Sequence, residues 1–263
     1  MEFFIADFDP VALRLGPLQI RWYSLAYIAG FLIGLHYART LTRLQPQPLD
    51  KATLERLLLW VIPGVILGGR LGHVVFYYPD YYFANPVQIL KIWQGGMAFH
   101  GGVIGIILAV IGFCRHERIQ FFIISDLIAA VAPIGLFAGR IANFINGELW
   151  GRPASVPWAV IFPNADAMAR HPSQLYEAAL EGVVLFILLS LAAYQGRQLH
   201  RPGRISALFL IFYGLARCLA EFWREPEILA GFLPFATWGQ WLSLPMILAG
   251  LWLLWRIPAR SNT

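Results

Sequence analysis

The stretch Gly139-Arg140-Ile141-Ala142-Asn143-Phe144-Ile145-Asn146-Gly147-Glu148-Leu149-Trp150-Gly151 closes an apolar run that begins near Phe121. An arginine, two asparagines and a glutamate therefore stand where lipid tails would be expected. One central arginine costs about 2.5–3.5 kcal/mol at such depth unless it meets a partner, water or an anion. On a helix, Arg140, Asn143 and Gly147 follow at i, i+3 and i+7 and share one face. Gly135, Gly139, Asn143 and Gly147 repeat every four residues, a small-residue edge along which another backbone can come close. A packing seam with one snorkelling arginine would explain the glycines. It would not explain donors and a carboxylate on the same face.

The rest of the chain has the same character. Of its 263 residues 58% are hydrophobic and only 13% are charged, the mean hydropathy is +0.60, and soluble domains carry about 25% charged residues. This composition describes an integral membrane protein, and its many apolar runs make it polytopic. The net charge of +5 would suggest a nucleic-acid partner in a soluble protein. Here the positive residues sit in short loops between apolar runs, where membrane orientation explains them and no nucleic acid is needed. Cys114 and Cys218, far apart in sequence, argue against a metal cluster or a CxxC pair, with a disulfide left open. The start, Met1 to Asp7, lacks a basic region and does not read as a cleavable signal peptide.

Seven apolar segments can be drawn: Trp22–Tyr37, Leu57–Tyr77, Gly95–Cys114, Phe121–Ile145, Ser173–Tyr194, Ile205–Phe222 and Phe235–Trp255. The expected fold is all-α, a single membrane domain over residues 1–263 built as a bundle of seven transmembrane helices. Pro63, Pro133 and Pro245 fall inside segments, where a bundle tolerates kinks. Eleven Lys and Arg fall in alternate loops and the C-terminal tail, from Arg39 to Arg260, against six on the other side. That asymmetry predicts an outer N-terminus and a cytoplasmic C-terminus. Two outer loops are more than connectors. Residues 79–94 are rich in Tyr, Phe and Trp and read as an in-plane element, and residues 146–172 carry three prolines and read as a cap.

Depth along the segments groups the remaining polar residues. His100, Arg140, Arg217 and Arg70 each lie a few residues from the outer end of their segment, roughly 7–11 Å beneath the outer surface at 1.5 Å per residue. This agreement predicts one polar cavity opening outward. Tyr213, Arg217 and Glu221 recur every four residues with Arg224 three further on, a polar stripe along one helix. An intrahelical Arg217–Glu221 pair is the plain reading of that stripe. Three arginines against few carboxylates want an anion, and phosphate suits the guanidinium fork. His100 has glycines on both sides and an unperturbed pKa near 6.5, suited to base chemistry, though a histidine at such a site can equally be tied to a backbone carbonyl. In His171-Pro172-Ser173-Gln174-Leu175-Tyr176-Glu177, Ser173 reads as a helix cap, while Gln174 and Glu177 can face the cavity. No HExxH, acidic metal cluster or GxSxG elbow is present, so no metal, cofactor or serine hydrolase is expected. From the residues alone a lipid enzyme, a transporter or flippase, and a receptor-like protein remain open. A transporter predicts two-half symmetry, which the chain does not display.

The run Gly139 to Gly151 resembles the signature of the prolipoprotein diacylglyceryl transferase family, Gly-Arg-x-x-Asn-Phe-x-Asn-x-Glu-x-x-Gly, with every fixed position filled. The similarity extends over the chain through Arg21-Trp22-Tyr23, the Phe-His-Gly-Gly turn at His100, the His171–Glu177 stretch, and Arg217 with Glu221. It implies a multi-pass enzyme of the bacterial inner membrane, hence a periplasmic N-terminus. That enzyme moves the diacylglyceryl group of phosphatidylglycerol onto the lipobox cysteine of a preprolipoprotein signal peptide and releases glycerol-1-phosphate. His100 is then the expected base, and Arg140 and Arg217 the stabilisers of the leaving phosphate. Asn143, Asn146, Glu148, Gly151 and Arg70 are expected around the headgroup. Tyr23, Tyr213, Glu177 and Glu221 are expected as orienting groups.

Overall fold

A computed structural model describes residues 3–16, 18–226 and 237–257. In chain order the elements are β1 (Phe4–Ile5), β2 (Val11–Leu15), β3 (Leu18–Arg21), α1 (Trp22–Leu41), α2 (Lys51–Phe76), α3 (Pro79–Ala84), α4 (Phe99–Glu117), α5 (Phe121–Ile145), β4 (Val160–Ile161), β5 (Ala169–Arg170), α6 (Ser173–Glu177), α7 (Leu185–Tyr194), α8 (Arg204–Ala220) and α9 (Trp238–Arg256). Each expected apolar segment coincides with a helix or helical run to within a few residues. Phe235, the expected start of the last one, and Arg260 of the C-terminal tail lie outside the described residues.

Among the described residues, four helical runs are long and apolar enough to cross a membrane: Lys51–Phe76, Phe99–Glu117, Phe121–Ile145 and Ser173–Tyr194. The protein is thus a mostly helical, multi-pass membrane protein. Within Ser173–Tyr194 the residues Ala178–Val184 form a π-helix between α6 and α7, a widened turn of the kind found at functional sites.

The chain divides into two compact units, Met1–Pro46 with Asp126–Thr263, and Gln47–Ser125. In the second unit α2 and α4 pack through glycine. A Cβ on Gly105 would stand 2.0 Å from the Gly64 carbonyl oxygen, and one on Gly68 2.4 Å from that of Gly101. The close-packing edge therefore lies here, where small residues recur at four-residue spacing on both helices. It does not lie at Gly139, where an added Cβ would meet nothing within 4 Å.

The first unit departs from the all-α expectation in the segments that precede α1 and follow α5. β2 and β3 form an antiparallel hairpin, while β1 pairs in parallel with β4, which pairs antiparallel with β5. Buried Ala6, Val160 and Phe162 form a small core under this sheet, and Phe144 and Trp150 from the Gly139–Gly151 stretch pack against it. Short extended pairs satisfy backbone groups that a loop would leave to water. They also fix the end of α5.

A buried aspartate ties two helices of this unit at their other ends. Asp126, near the start of α5, is fully buried. One of its oxygens accepts the Gly203 N–H at 2.7 Å, and the other accepts the Ser206 N–H at 2.8 Å and the Ser206 hydroxyl at 2.7 Å. Gly203, the N-cap residue of α8, offers no side chain of its own, so α5 supplies the cap.

Candidate active site

Arg140, Glu177, Glu181, Arg217, Glu221 and Arg224 form one ion-pair network. Glu177 and Glu181 are fully buried, four residues apart on the α6–π-helix run and so on one face. Arg140 donates to Glu181 Oε2 from Nε at 3.2 Å and from Nη2 at 3.0 Å. Its Nε also lies 3.0 Å from Glu177 Oε2 as an ion-pair contact, without the alignment of a hydrogen bond. Arg217 donates from Nη1 to Glu177 Oε1 at 2.5 Å and from Nη2 to Glu221 Oε1. Arg224 Nη1 reaches the same Glu177 oxygen at 3.0 Å. Tyr213 lies on α8 one turn before Arg217.

Three guanidinium groups thus face three carboxylates, and buried charges are compensated. The surplus of positive charge expected from the sequence is not there, because Glu181 joins this network and Arg70 spends its donors on backbone carbonyls. Yet the glutamates occupy only one edge of each guanidinium. Arg140 retains Nη1 and Arg217 retains Nε without a hydrogen bond among the described residues. Their side chains remain 16% and 15% exposed. Two oriented guanidinium groups with donors in reserve can hold a phosphate.

The end of α5 turns sharply to build the neighbouring wall. Gly147 and Leu149 both have left-handed backbones, with φ of 61° and 59°, a strained conformation for leucine. Side chains from elsewhere hold the turn. Ser173 Oγ donates to the Leu149 carbonyl at 3.0 Å and Gln174 Nε2 to the Glu148 carbonyl at 2.7 Å. Ser173 thus latches this turn and does not cap its own helix, as had been expected of it. The Glu148 carboxylate accepts from Asn143 Nδ2 at 2.8 Å and from Asn146 Nδ2 at 3.4 Å. Asn143 also reaches the Tyr23 hydroxyl at 3.4 Å.

Gly151 is placed by backbone geometry. Its N–H donates to the His171 carbonyl at 3.0 Å, and an added Cβ would lie 2.5 Å from the carbonyl oxygens of both His171 and Trp223. Arg170 donates to the Gly151 carbonyl at 3.0 Å and to Asp166 Oδ2 at 2.6 Å. That hydrogen bond holds the Asp166 carboxyl below the usual carboxylate range.

In the second unit Arg70, expected at the lipid headgroup, is 3% exposed and turns entirely to backbone. Its Nε donates to the Ile89 carbonyl, Nη1 to those of Gly95 and Gly96, and Nη2 to those of Gln88 and Lys91. The Tyr82 ring lies 5.0 Å from its guanidinium carbon. With its donors spent, Arg70 shapes the segment before α4. His100 sits in the first turn of α4, exposed and edge-on to Phe99.

Of the expected site residues, Arg140, Arg217 and Glu221 meet in the ion-pair network, and Tyr23, Asn143, Asn146 and Glu148 meet in the adjoining one. Glu181 and the bridging role of Glu177 were not foreseen. The signal was present as two acids four residues apart in an otherwise apolar span. Arg224 was read as the end of a helical stripe, but α8 stops at Ala220 and Arg224 reaches Glu177 after a turn.

The profile of the prolipoprotein diacylglyceryl transferase family matches residues 10–256. The chain belongs to the prolipoprotein diacylglyceryl transferase family. It is 54% identical over 254 residues to the phosphatidylglycerol–prolipoprotein diacylglyceryl transferase of Rhodospirillum centenum, covering 95% of this chain and 92% of that protein. The protein of the same name from Rhodospirillum rubrum is 55% identical over 246 residues, covering 92% and 90%. That of Agrobacterium fabrum is 50% identical over 265 residues, covering 98% and 94%.

Proposed function

We propose that the protein transfers the diacylglyceryl group of phosphatidylglycerol to the lipobox cysteine of preprolipoprotein signal peptides, the first step of bacterial lipoprotein maturation. The observation that carries this reading is the pair Arg140 and Arg217, each oriented by buried glutamates and each with a donor in reserve. Attack by the cysteine sulfur on the glycerol carbon next to the phosphate forms a C–S bond as the C–O bond breaks. The bonding electrons leave on the phosphate oxygen, giving glycerol-1-phosphate. Arg140 and Arg217 meet the growing charge there, a contribution for which one lost donor typically costs about 10²–10³ in turnover. A thiol with a pKa near 8.5 must lose its proton first, and His100 is the acceptor in this scheme. Asn143, Asn146, Glu148 and Gly151 shape the headgroup wall. Glu177, Glu221, Tyr23 and Tyr213 orient the reacting groups.

The same reading gives the topology: seven spans in the bacterial inner membrane, N-terminus periplasmic, C-terminus cytoplasmic, with residues 79–94 and 146–172 as the outer elements. The loop charges support it. Both substrates are then membrane-borne, and the nucleophile belongs to the peptide, so the chemistry calls for no enzyme cysteine, metal or nucleotide.

The test is transfer by the purified protein in detergent from phosphatidylglycerol to a lipobox peptide. Glycerol phosphate release and peptide mass gain are followed together for wild type, Arg140→Ala and His100→Ala. Both signals in the wild type and their loss in both variants are expected. Lipid bound without turnover by the wild type would favour a lipid carrier instead. Full turnover by Arg140→Ala would remove the leaving-group account.

A further inference from the structure

Two amides tied to Glu148, those of Gln174 and Asn146, donate through their NH₂ groups and leave their carbonyl oxygens free. Gln174 is fully buried. Its Nε2 is fixed on the Glu148 carbonyl at 2.7 Å, which points Oε1 the other way. Asn146 Nδ2 is turned to the Glu148 carboxylate at 3.4 Å. Gln174 Oε1 and Asn146 Oδ1 are both buried and receive no hydrogen bond among the described residues. Glu148 therefore orients both amides through their NH₂ groups and leaves two neutral carbonyl oxygens unanswered. A buried acceptor without a donor is costly, so such atoms point to a ligand that donates.

Their place limits the ligand. Gln174 lies three residues before Glu177 on the same helix, about 4.5 Å along the axis, and Glu177 is the carboxylate that Arg140 and Arg217 share. The Gln174 acceptor thus lies within about one helical turn of the carboxylate that anchors both arginines, and Asn146 is tied to the same Glu148. The buried oxygens Glu177 Oε2 and Glu181 Oε1 also lack a hydrogen bond, but each faces a guanidinium, at 3.0 and 3.7 Å. The amide oxygens carry no formal charge. Neutral acceptors suit neutral donors, and a vicinal diol supplies two.

We propose that Gln174 and Asn146 read the lipid headgroup, their amide oxygens accepting hydrogen bonds from the two hydroxyls of the terminal glycerol. Gln174 is then a specificity-determining residue that selects a hydroxylated headgroup among anionic phospholipids. The proposal rests on the lipid-transfer reading above.

The experiment compares two donor lipids with the same charge and acyl chains, phosphatidylglycerol and phosphatidylpropanol, whose three-carbon headgroup has no hydroxyl. The wild type is expected to favour phosphatidylglycerol at least about tenfold in kcat/KM, since a site built to pair a hydroxyl rejects the analogue lacking it. Gln174→Met removes the acceptor at similar volume and should bring the preference to within about threefold of unity, mainly by lowering turnover of phosphatidylglycerol. Asn146→Ala should lower the preference in the same sense and serves if Gln174→Met fails to fold. Equal use of both lipids by the wild type, or an unchanged preference in a folded variant, would overturn the headgroup proposal alone. No transfer from either lipid by the wild type would instead overturn the function on which it rests.

Discussion

The Asp126 carboxylate accepts the Gly203 N–H at 2.7 Å, closing α8 from another helix. Arg140 lies fourteen residues beyond Asp126, and Arg217 fourteen beyond Gly203, about 21 Å of helix in each case. Two arms of equal length thus leave one joint and meet again at Glu177 and Glu181. Asp126→Ala should cost about 3 kcal/mol, as removing a charged acceptor leaves buried donors unmet. Asp126→Asn should recover less than half of that, because its NH₂ can only face further donors. Thermal unfolding in detergent, compared between the two variants, checks the order.

Glu181 holds both Nε and Nη2 of Arg140. Glu181→Ala should destabilise by about 3–5 kcal/mol, the usual cost of leaving a buried charge without its partner. Glu181→Gln should fold better and still transfer at least about tenfold more slowly, since Arg140 then loses its orientation. Turnover measured below the unfolding transition separates the two effects.

The α2–α4 contact leaves no room for a methyl group at Gly105, 2.0 Å from the Gly64 oxygen. Gly105→Ala should lower stability by about 1–3 kcal/mol through overpacking. Gly139→Ala, which meets nothing within 4 Å, should be nearly neutral or slightly stabilising in its helix. A pair of thermal melts decides it.

Arg170 holds the Asp166 carboxyl below its usual range, so the folded chain ionises this acid more readily than the unfolded chain does. The resulting stabilisation is complete above the unfolded value near 3.9 and fades as pH falls through the lower folded value. Asp166→Asn should therefore exchange the Ala154 N–H, bonded to the Ala169 carbonyl at 2.9 Å, faster than wild type near pH 6. The two proteins should converge once pH has fallen below the folded value. Amide exchange at the two pH values measures this.

Apolar run lengths made the helices legible, because each run had to bury or face lipid over a helix-sized stretch. Arg140 and Arg217 were legible for the same reason, as charges out of place. Asp126 and Glu181 obeyed that logic too but were passed over, since a single acid in an apolar run carries no periodic signal. The short strands β1, β4 and β5 were hidden because two-residue pairings leave no alternation to read. Arg70 misled: depth in a segment shows that a charge needs partners, not whether those partners are phosphate or peptide carbonyls.

The carbonyls that Arg70 gathers from Gln88, Ile89, Lys91, Gly95 and Gly96 are common to all amino acids. The path of that segment is thus written in one side chain of α2 and in Gly95 and Gly96, whose φ angles are 84° and 79°. Most residues there are free to change hydrophobic character without redirecting the chain. A single substitution at Arg70 would undo at a stroke what many substitutions in the loop would not.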